Sequence, residues 1–166
     1  HEHGFGKNSP GQGWIMVRAK ELTPKHLIDA MEAGDFYAST GVRLKNVTRG
    51  KKRYVVEIDP EPGVEYMTQF IGTRKGYLGT SEPHRAASGT PLRVTHKYSD
   101  DIGQLLAISM GTNAVYELRG DEIYVRAKVF STKRRIPLGT PEAAKFAGSV
   151  EEFESAWCQP LVTGIK

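Results

Sequence analysis

Cysteine is almost absent. Cys158 is the only one in 166 residues, which excludes an intrachain disulfide framework and any cysteine-rich zinc site but leaves the compartment open. Long apolar runs are missing too, and since a bilayer takes roughly 20 consecutive apolar residues to cross, no membrane span is expected. Excess charge is small: 23 Lys and Arg against 19 Asp and Glu give a formal surplus of +4, too little to argue for nucleic acid, and none is expected as a partner. Common catalytic signatures are lacking as well. There is no Gly-x-Ser-x-Gly elbow, and the glycine-rich stretch over residues 4–13 has no Lys-Ser or Lys-Thr ending, so it is no nucleotide-phosphate loop. The chain starts His1-Glu2-His3 without methionine, without a basic segment leading into an apolar one and without a small-residue cleavage pattern. It shows no targeting signal and reads like a piece of something longer.

What is present suits one folded domain, or one plus a fragment: 39% hydrophobic and 25% charged residues. Residues 14–19 open with Trp14, Ile15, Met16 and Val17, consecutive apolar positions expected of a strand covered on both faces, as in a parallel sheet. A helix should follow, capped by the Thr23 hydroxyl, with Pro24 at its first position and Gly34 ending it in a left-handed conformation. Leu27, Ile28 and Met31 share its apolar face with Ala30 beside them. Phe36-Tyr37-Ala38 then reads as a short strand closed by the turn Ser39-Thr40-Gly41, completing a strand-helix-strand unit of alternating α/β type.

From Val42 onward the period changes to two. Strands are expected over 42–47, 54–58, 64–71, 92–96, 105–108, 114–118 and 123–130, separated by turn signals such as Pro60-Glu61-Pro62-Gly63 and Gly120-Asp121. Ile123, Val125, Ala127 and Val129 should form a dry face, with Tyr124, Arg126, Lys128 and Phe130 on the other. Residues 72–90 read as a mobile loop and 141–153 as a short helix. The expected fold class is therefore mainly β: a β-sandwich-like domain over residues 42–166, preceded by a strand-helix-strand segment over 1–41.

Gly13-Trp14-Ile15-Met16-Val17-Arg18-Ala19, then Leu22-Thr23-Pro24, then Ala30-Met31-Glu32-Ala33-Gly34-Asp35-Phe36-Tyr37-Ala38-Ser39-Thr40-Gly41 closely resemble the carboxy-terminal end of PHP-domain proteins, the polymerase and histidinol phosphatase superfamily. Gln69-Phe70-Ile71-Gly72-Thr73-Arg74-Lys75-Gly76, Tyr124-Val125-Arg126-Ala127 and Ala156-Trp157-Cys158-Gln159-Pro160-Leu161 resemble the β extension that follows this domain in some members. The resemblance implies a seven-stranded βα barrel in which His, Asp and Glu hold divalent metals (Mn, Zn or Fe) that activate water to hydrolyse phosphate esters. Most of those ligands belong to earlier motifs outside this sequence. On this resemblance residues 1–41 are the end of the barrel, the missing amino-terminal catalytic barrel is the principal partner, and the chain alone is inactive. His1 is the one candidate metal ligand, as the histidine of a last Asp-x-His motif, with His3 as second choice. His1-Glu2-His3 is not the first His-x-His motif, because the strand that should deliver that motif would have to precede it.

The remaining candidates favour ordinary structural roles. His26 reads as a surface residue of the helix and His84 as part of a solvated loop. His96 lies near Asp100 and Asp101, where turn capping explains the carboxylates more cheaply than acid/base chemistry. Ser39-Thr40-Gly41 lacks a following helix to focus donors on a phosphate. Cys158, beside Trp157 and Pro160, reads as a packed thiol. Arg43, Lys45, Arg49, Lys51, Lys52 and Arg53 form a basic stretch, and Lys133, Arg134 and Arg135 a second. If strands bring them together, with Tyr54 and Tyr124 as stacking surfaces, they would make a cationic face for a phosphate or polyanion ligand. The alternative function is thus a self-contained β-sandwich module that binds carbohydrate or another polyanion.

Overall fold

Along the segment Arg53–Ile58 every second side chain, Tyr54, Val56 and Ile58, is buried, the two-residue period of a strand with one dry face. The same rule builds most of the molecule. The computed structural model describes residues 12–135 and 153–163, with the backbone alone at 91–95. In chain order its elements are β1 (Trp14–Val17), α1 (Pro24–Glu32), β2 (Phe36–Ser39), β3 (Leu44–Arg49), β4 (Arg53–Ile58), β5 (Tyr66–Arg74), β6 (Ser81–Arg85), β7 (Pro91–Tyr98), β8 (Gln104–Met110), β9 (Asn113–Glu117), β10 (Glu122–Arg134), β11 (Phe153–Cys158) and β12 (Leu161–Val162). The fold is mainly β, as its sequence pattern implies, and the strand pairings among the described residues are all antiparallel.

Seven strands form one sheet in the order β1-β2-β11-β10-β5-β8, with β12 pairing β10; β3-β4-β9 form a second, and β6-β7 a separate hairpin. The two larger sheets pack face to face. Tyr54 of β4 and Tyr116 of β9 close on Phe70 of β5, with ring centroids 5.9 and 5.5 Å from it. Around this trio lie Val56, Ile58, Ala114, Val125, Ala127, Val129, Ala156 and Cys158, all buried. Such aromatic contacts add roughly 0.5–1.5 kcal/mol each to the burial itself.

Three sequence expectations are corrected. β1 is neither parallel nor covered on both faces: it runs antiparallel to β2, and Trp14, Ile15 and Met16 are 46%, 47% and 40% exposed. The reason is the return path. Val17 stands opposite Phe36, and the Arg18 N–H donates to the Asp35 carbonyl at 2.8 Å, so the chain re-enters the sheet where it left it. A parallel crossover would carry it to the opposite end. The helix is consequently an excursion in a hairpin loop, and of its apolar face only Ala30 is buried while Ile28 and Met31 stand out.

Residues 72–90 are not one loop, since they contain the end of β5 and all of β6. Every side chain of β6 is exposed, so no dry face imposes an alternation that a sequence could display. On β10 a bulge between Glu122 and Tyr124 turns Glu122 inward and leaves Ile123 half-buried, although Val125, Ala127 and Val129 line the core as expected. The helix expected over 141–153 lies outside the described residues except for Phe153, which opens β11.

Candidate functional site

The β1–β2 hairpin and β3 enclose a cleft of about 240 Å³. Its floor is built from strand alternation. Met16 and Tyr37 are cross-strand neighbours on one face of the hairpin, and Leu44 and Val47 face them from β3. The Tyr37 hydroxyl accepts a hydrogen bond from the Leu44 N–H at 3.0 Å, fastening β2 to β3. Burial pushes the pKa of this phenol upward, so it stays protonated at neutral pH.

Helix α1 shapes the rim through its carboxy-terminal end, and a cap fixes its start. The Thr23 Oγ1 accepts from the His26 N–H at 3.3 Å and lies 2.8 Å from His26 Nδ1, with Pro24 at the first helical position. At the other end the Asp35 N–H reaches the Ala30 carbonyl at 2.8 Å and the Gly34 N–H reaches Met31 at 3.1 Å. This paired closure needs a left-handed residue, and Gly34 supplies it with φ +71°. It leaves the Gly34 carbonyl and the Asp35 carboxylate pointing at the cleft.

Two guanidinium groups bridge the elements around that rim. Arg18 follows β1 and donates to Asn46 Oδ1 at 2.8 Å and to the Val47 carbonyl at 3.3 Å, both on β3. Arg49 ends β3 and donates to the Gly34 carbonyl at 2.9 Å and to Asp35 Oδ1 at 3.3 Å. Arg18 lies 3.9 Å from the same carboxylate oxygen. Lys45, also on β3 and exposed, has no recorded partner among the described residues. The formal charge of the lining is therefore Arg18, Lys45 and Arg49 against Asp35 alone, or 3 − 1 = +2.

The basic residues singled out in the sequence divide accordingly. Lys45 and Arg49 line the cleft. Arg43 pairs with Asp59 at 3.3 Å, and Lys51, Lys52 and Arg53 are exposed where β3 turns into β4. Lys133 is bound at the other end of β4, 2.7 Å from Glu61 and 3.5 Å from Glu154. The length of β4, about 20 Å for six residues, separates Lys51, Lys52 and Arg53 from Lys133, so these cations do not form one face. Tyr54 is not a stacking surface either: it is fully buried, and its hydroxyl donates to the Gln159 carbonyl at 2.7 Å. Tyr124 stands half-buried on the outer face of the large sheet. On that same face Lys128 Nζ lies 4.3 Å from the Phe130 ring centre and 5.2 Å from that of Trp157.

The other candidates have structural partners. In Ser39-Thr40-Gly41 the Ser39 hydroxyl donates to the Val42 carbonyl at 2.6 Å, and Thr40 Oγ1 accepts from the Ser155 N–H at 2.9 Å, which ties β2 to β11. Gly41 has φ +153°, and a Cβ there would fall 2.0 Å from the Glu154 carboxyl carbon, so any other residue would be strained and would have to displace that side chain. His26 is oriented by its own helix cap, and His84 is exposed on β6. His96 Nδ1 contacts Ser81 Oγ at 3.2 Å, while Asp101 accepts instead from the Leu78 N–H at 2.6 Å. Burial pushes the Cys158 thiol up to about 12, which makes it inert at neutral pH. His1 and His3 lie outside the described residues. Among the described residues no three His, Cys, Asp or Glu side chains converge to hold a metal ion, so these residues do not fit a metal cluster of their own.

Sequence reasoning missed Arg18, Tyr37 and Asp35 as parts of one site. Arg18 lies just after β1, Asp35 just before β2 and Tyr37 within it, and only the β1–β2 register and the closure of α1 bring them to β3. No family model, no curated protein and no solved structure matches this chain.

Proposed function

We propose that the chain is the carboxy-terminal part of a PHP-like metal-dependent phosphoesterase, in which residues 1–41 are the end of the catalytic barrel and 42–166 form an accessory β domain. The observation that carries this reading is the uncovered flank made by β1 and α1. Trp14, Ile15 and Met16 are exposed in a row, Leu22 is 91% exposed, and Ile28 and Met31 project from the helix. Among the described residues β1 is hydrogen-bonded on one side only, to β2. An edge strand with consecutive large apolar side chains is a surface shaped for a neighbour.

On this reading the barrel supplies the metals and the hydrolytic chemistry. The present chain supplies a strand edge, a helix face and a rigid sandwich behind them. The test has two arms. The chain alone, given manganese or zinc, should show no turnover of an aryl phosphate above background. In a protein that also contains the barrel, the amides of residues 14–17 should exchange with solvent at least roughly tenfold more slowly than in the chain alone. Turnover by the chain that disappears in a folded His96→Ala variant would refute the proposal, as would unchanged exchange at β1.

A further inference from the structure

Apart from Met16, the residues that line the cleft between the β1–β2 hairpin and β3 have no part in the barrel-docking flank. We propose that it binds a small organic phosphate, with the phosphoryl group held by Arg18, Lys45 and Arg49 and an apolar substituent lying against Met16, Tyr37 and Val47.

Charge is the first argument. The lining carries a formal surplus of +2, and a phosphate monoester carries about −1.5 to −2 near neutral pH. A carboxylate would leave one cation of the lining unmatched. Geometry is the second. Both guanidinium groups are already held before any ligand arrives, Arg18 by Asn46 and the Val47 carbonyl, Arg49 by the Gly34 carbonyl and Asp35. These bonds use Nη1 and Nη2 of Arg18 once each and Nη2 of Arg49 twice, so donors remain on both planar forks, the geometry that suits phosphoryl oxygens. Fixing them in advance lowers the ordering cost of binding. Lys45 adds a mobile charge from β3.

Size and polarity are the third argument. At about 240 Å³ the cleft falls just below the range of pockets for drug-sized molecules, which suits a ligand of one ring or a short chain. Tyr37 stays neutral, with its hydroxyl engaged by the Leu44 N–H, so its ring offers an apolar wall without a competing negative charge.

The test is a titration of the chain with phenyl phosphate, followed by calorimetry and by backbone amide shifts. The expected result is saturable one-to-one binding, with the largest shifts at Tyr37, Asn46 and Val47. Inorganic phosphate should bind at least roughly tenfold more weakly, because it lacks the buried ring. R18Q and K45Q should each weaken phenyl phosphate by roughly tenfold, as each removes a charge-assisted contact. Absence of saturation up to about 10 mM would overturn the proposal, and so would shifts centred elsewhere on the surface. Equal affinity for inorganic phosphate, or unchanged affinity in the folded variants, would overturn it as well. The shift map uses the unaltered chain and remains decisive if a variant fails to fold. The outcome is separate from barrel docking, which is read at the amides of β1.

Discussion

Glu122 is wholly buried, and three hydrogen-bond donors converge on its carboxylate. Burial pushes its pKa up. Hydrogen bonds from the Arg119 N–H at 3.0 Å, the Tyr116 hydroxyl at 2.7 Å and the Gly120 N–H at 2.9 Å outweigh that effect and hold the pKa at about 2. Arg74 lies 3.6 Å away and also pairs with Asp121. An unfolded glutamate titrates near 4.3, so the native state binds its proton less readily than the unfolded chain does. The stability this contributes, roughly 3 kcal/mol, is fully present above about pH 5 and is lost as the pH falls toward 2. Glu122→Gln should therefore cost roughly 2–3 kcal/mol at pH 7, because it removes the charge that three donors converge on. It should also flatten the acid limb of the stability curve. Urea unfolding at pH 7 and pH 3.5 measures both effects, and an acid slope equal to that of the unaltered protein would show that other carboxylates carry it. The sequence marked Gly120-Asp121 as a turn but gave no sign that Glu122 points inward. That follows from the bulge after it, which shifts the strand by one residue and changes which face each side chain takes.

Helix α1 shows which elements a sequence can disclose. Its start and end were legible because caps are local: Thr23, Pro24 and Gly34 meet their partners within a few residues. Its packing was not legible, because the alternation of strand, helix and strand is the same for a parallel crossover and for a hairpin with a helical loop. The β6–β7 hairpin makes the complementary case. β6 buries no side chain, so no periodicity marks it, and its pairing with β7 must be seen in space. Weak packing of α1 leads to a prediction. Thr23→Ala removes a cap worth about 1 kcal/mol to the helix. Since only Ala30 of α1 is buried, that loss should appear as faster amide exchange over residues 24–32, with the melting temperature of the sandwich nearly unchanged. A melting temperature that falls by several degrees would mean that α1 belongs to the cooperative core.

At the scale of the whole molecule, strand periodicity was enough to reveal a mainly β fold, because the sandwich core is made of alternating residues such as Tyr54, Val56, Val125, Ala127 and Val129. The cleft needed more than periodicity. Its basic side was visible as Lys45 and Arg49, yet Arg18 and Asp35 reach it only through the fold-back of β1 onto β2. The large sheet has exposed apolar strands at both ends, Trp14, Ile15 and Met16 on β1 and Leu105, Ile108 and Met110 on β8, and these compete as sites of self-association. If the β1 flank is the docking surface, the isolated chain should associate reversibly as its concentration rises, and Ile15→Lys combined with Ile28→Lys should shift it to monomer. Both positions are about half exposed in the monomer, so these changes cost little folding stability, within roughly 0.5 kcal/mol each. Sedimentation velocity over a concentration series reads the outcome. Association that persists in this double variant but vanishes on Leu105→Lys with Ile108→Lys would move the contact to β8, and the β1 flank would lose its claim to a partner.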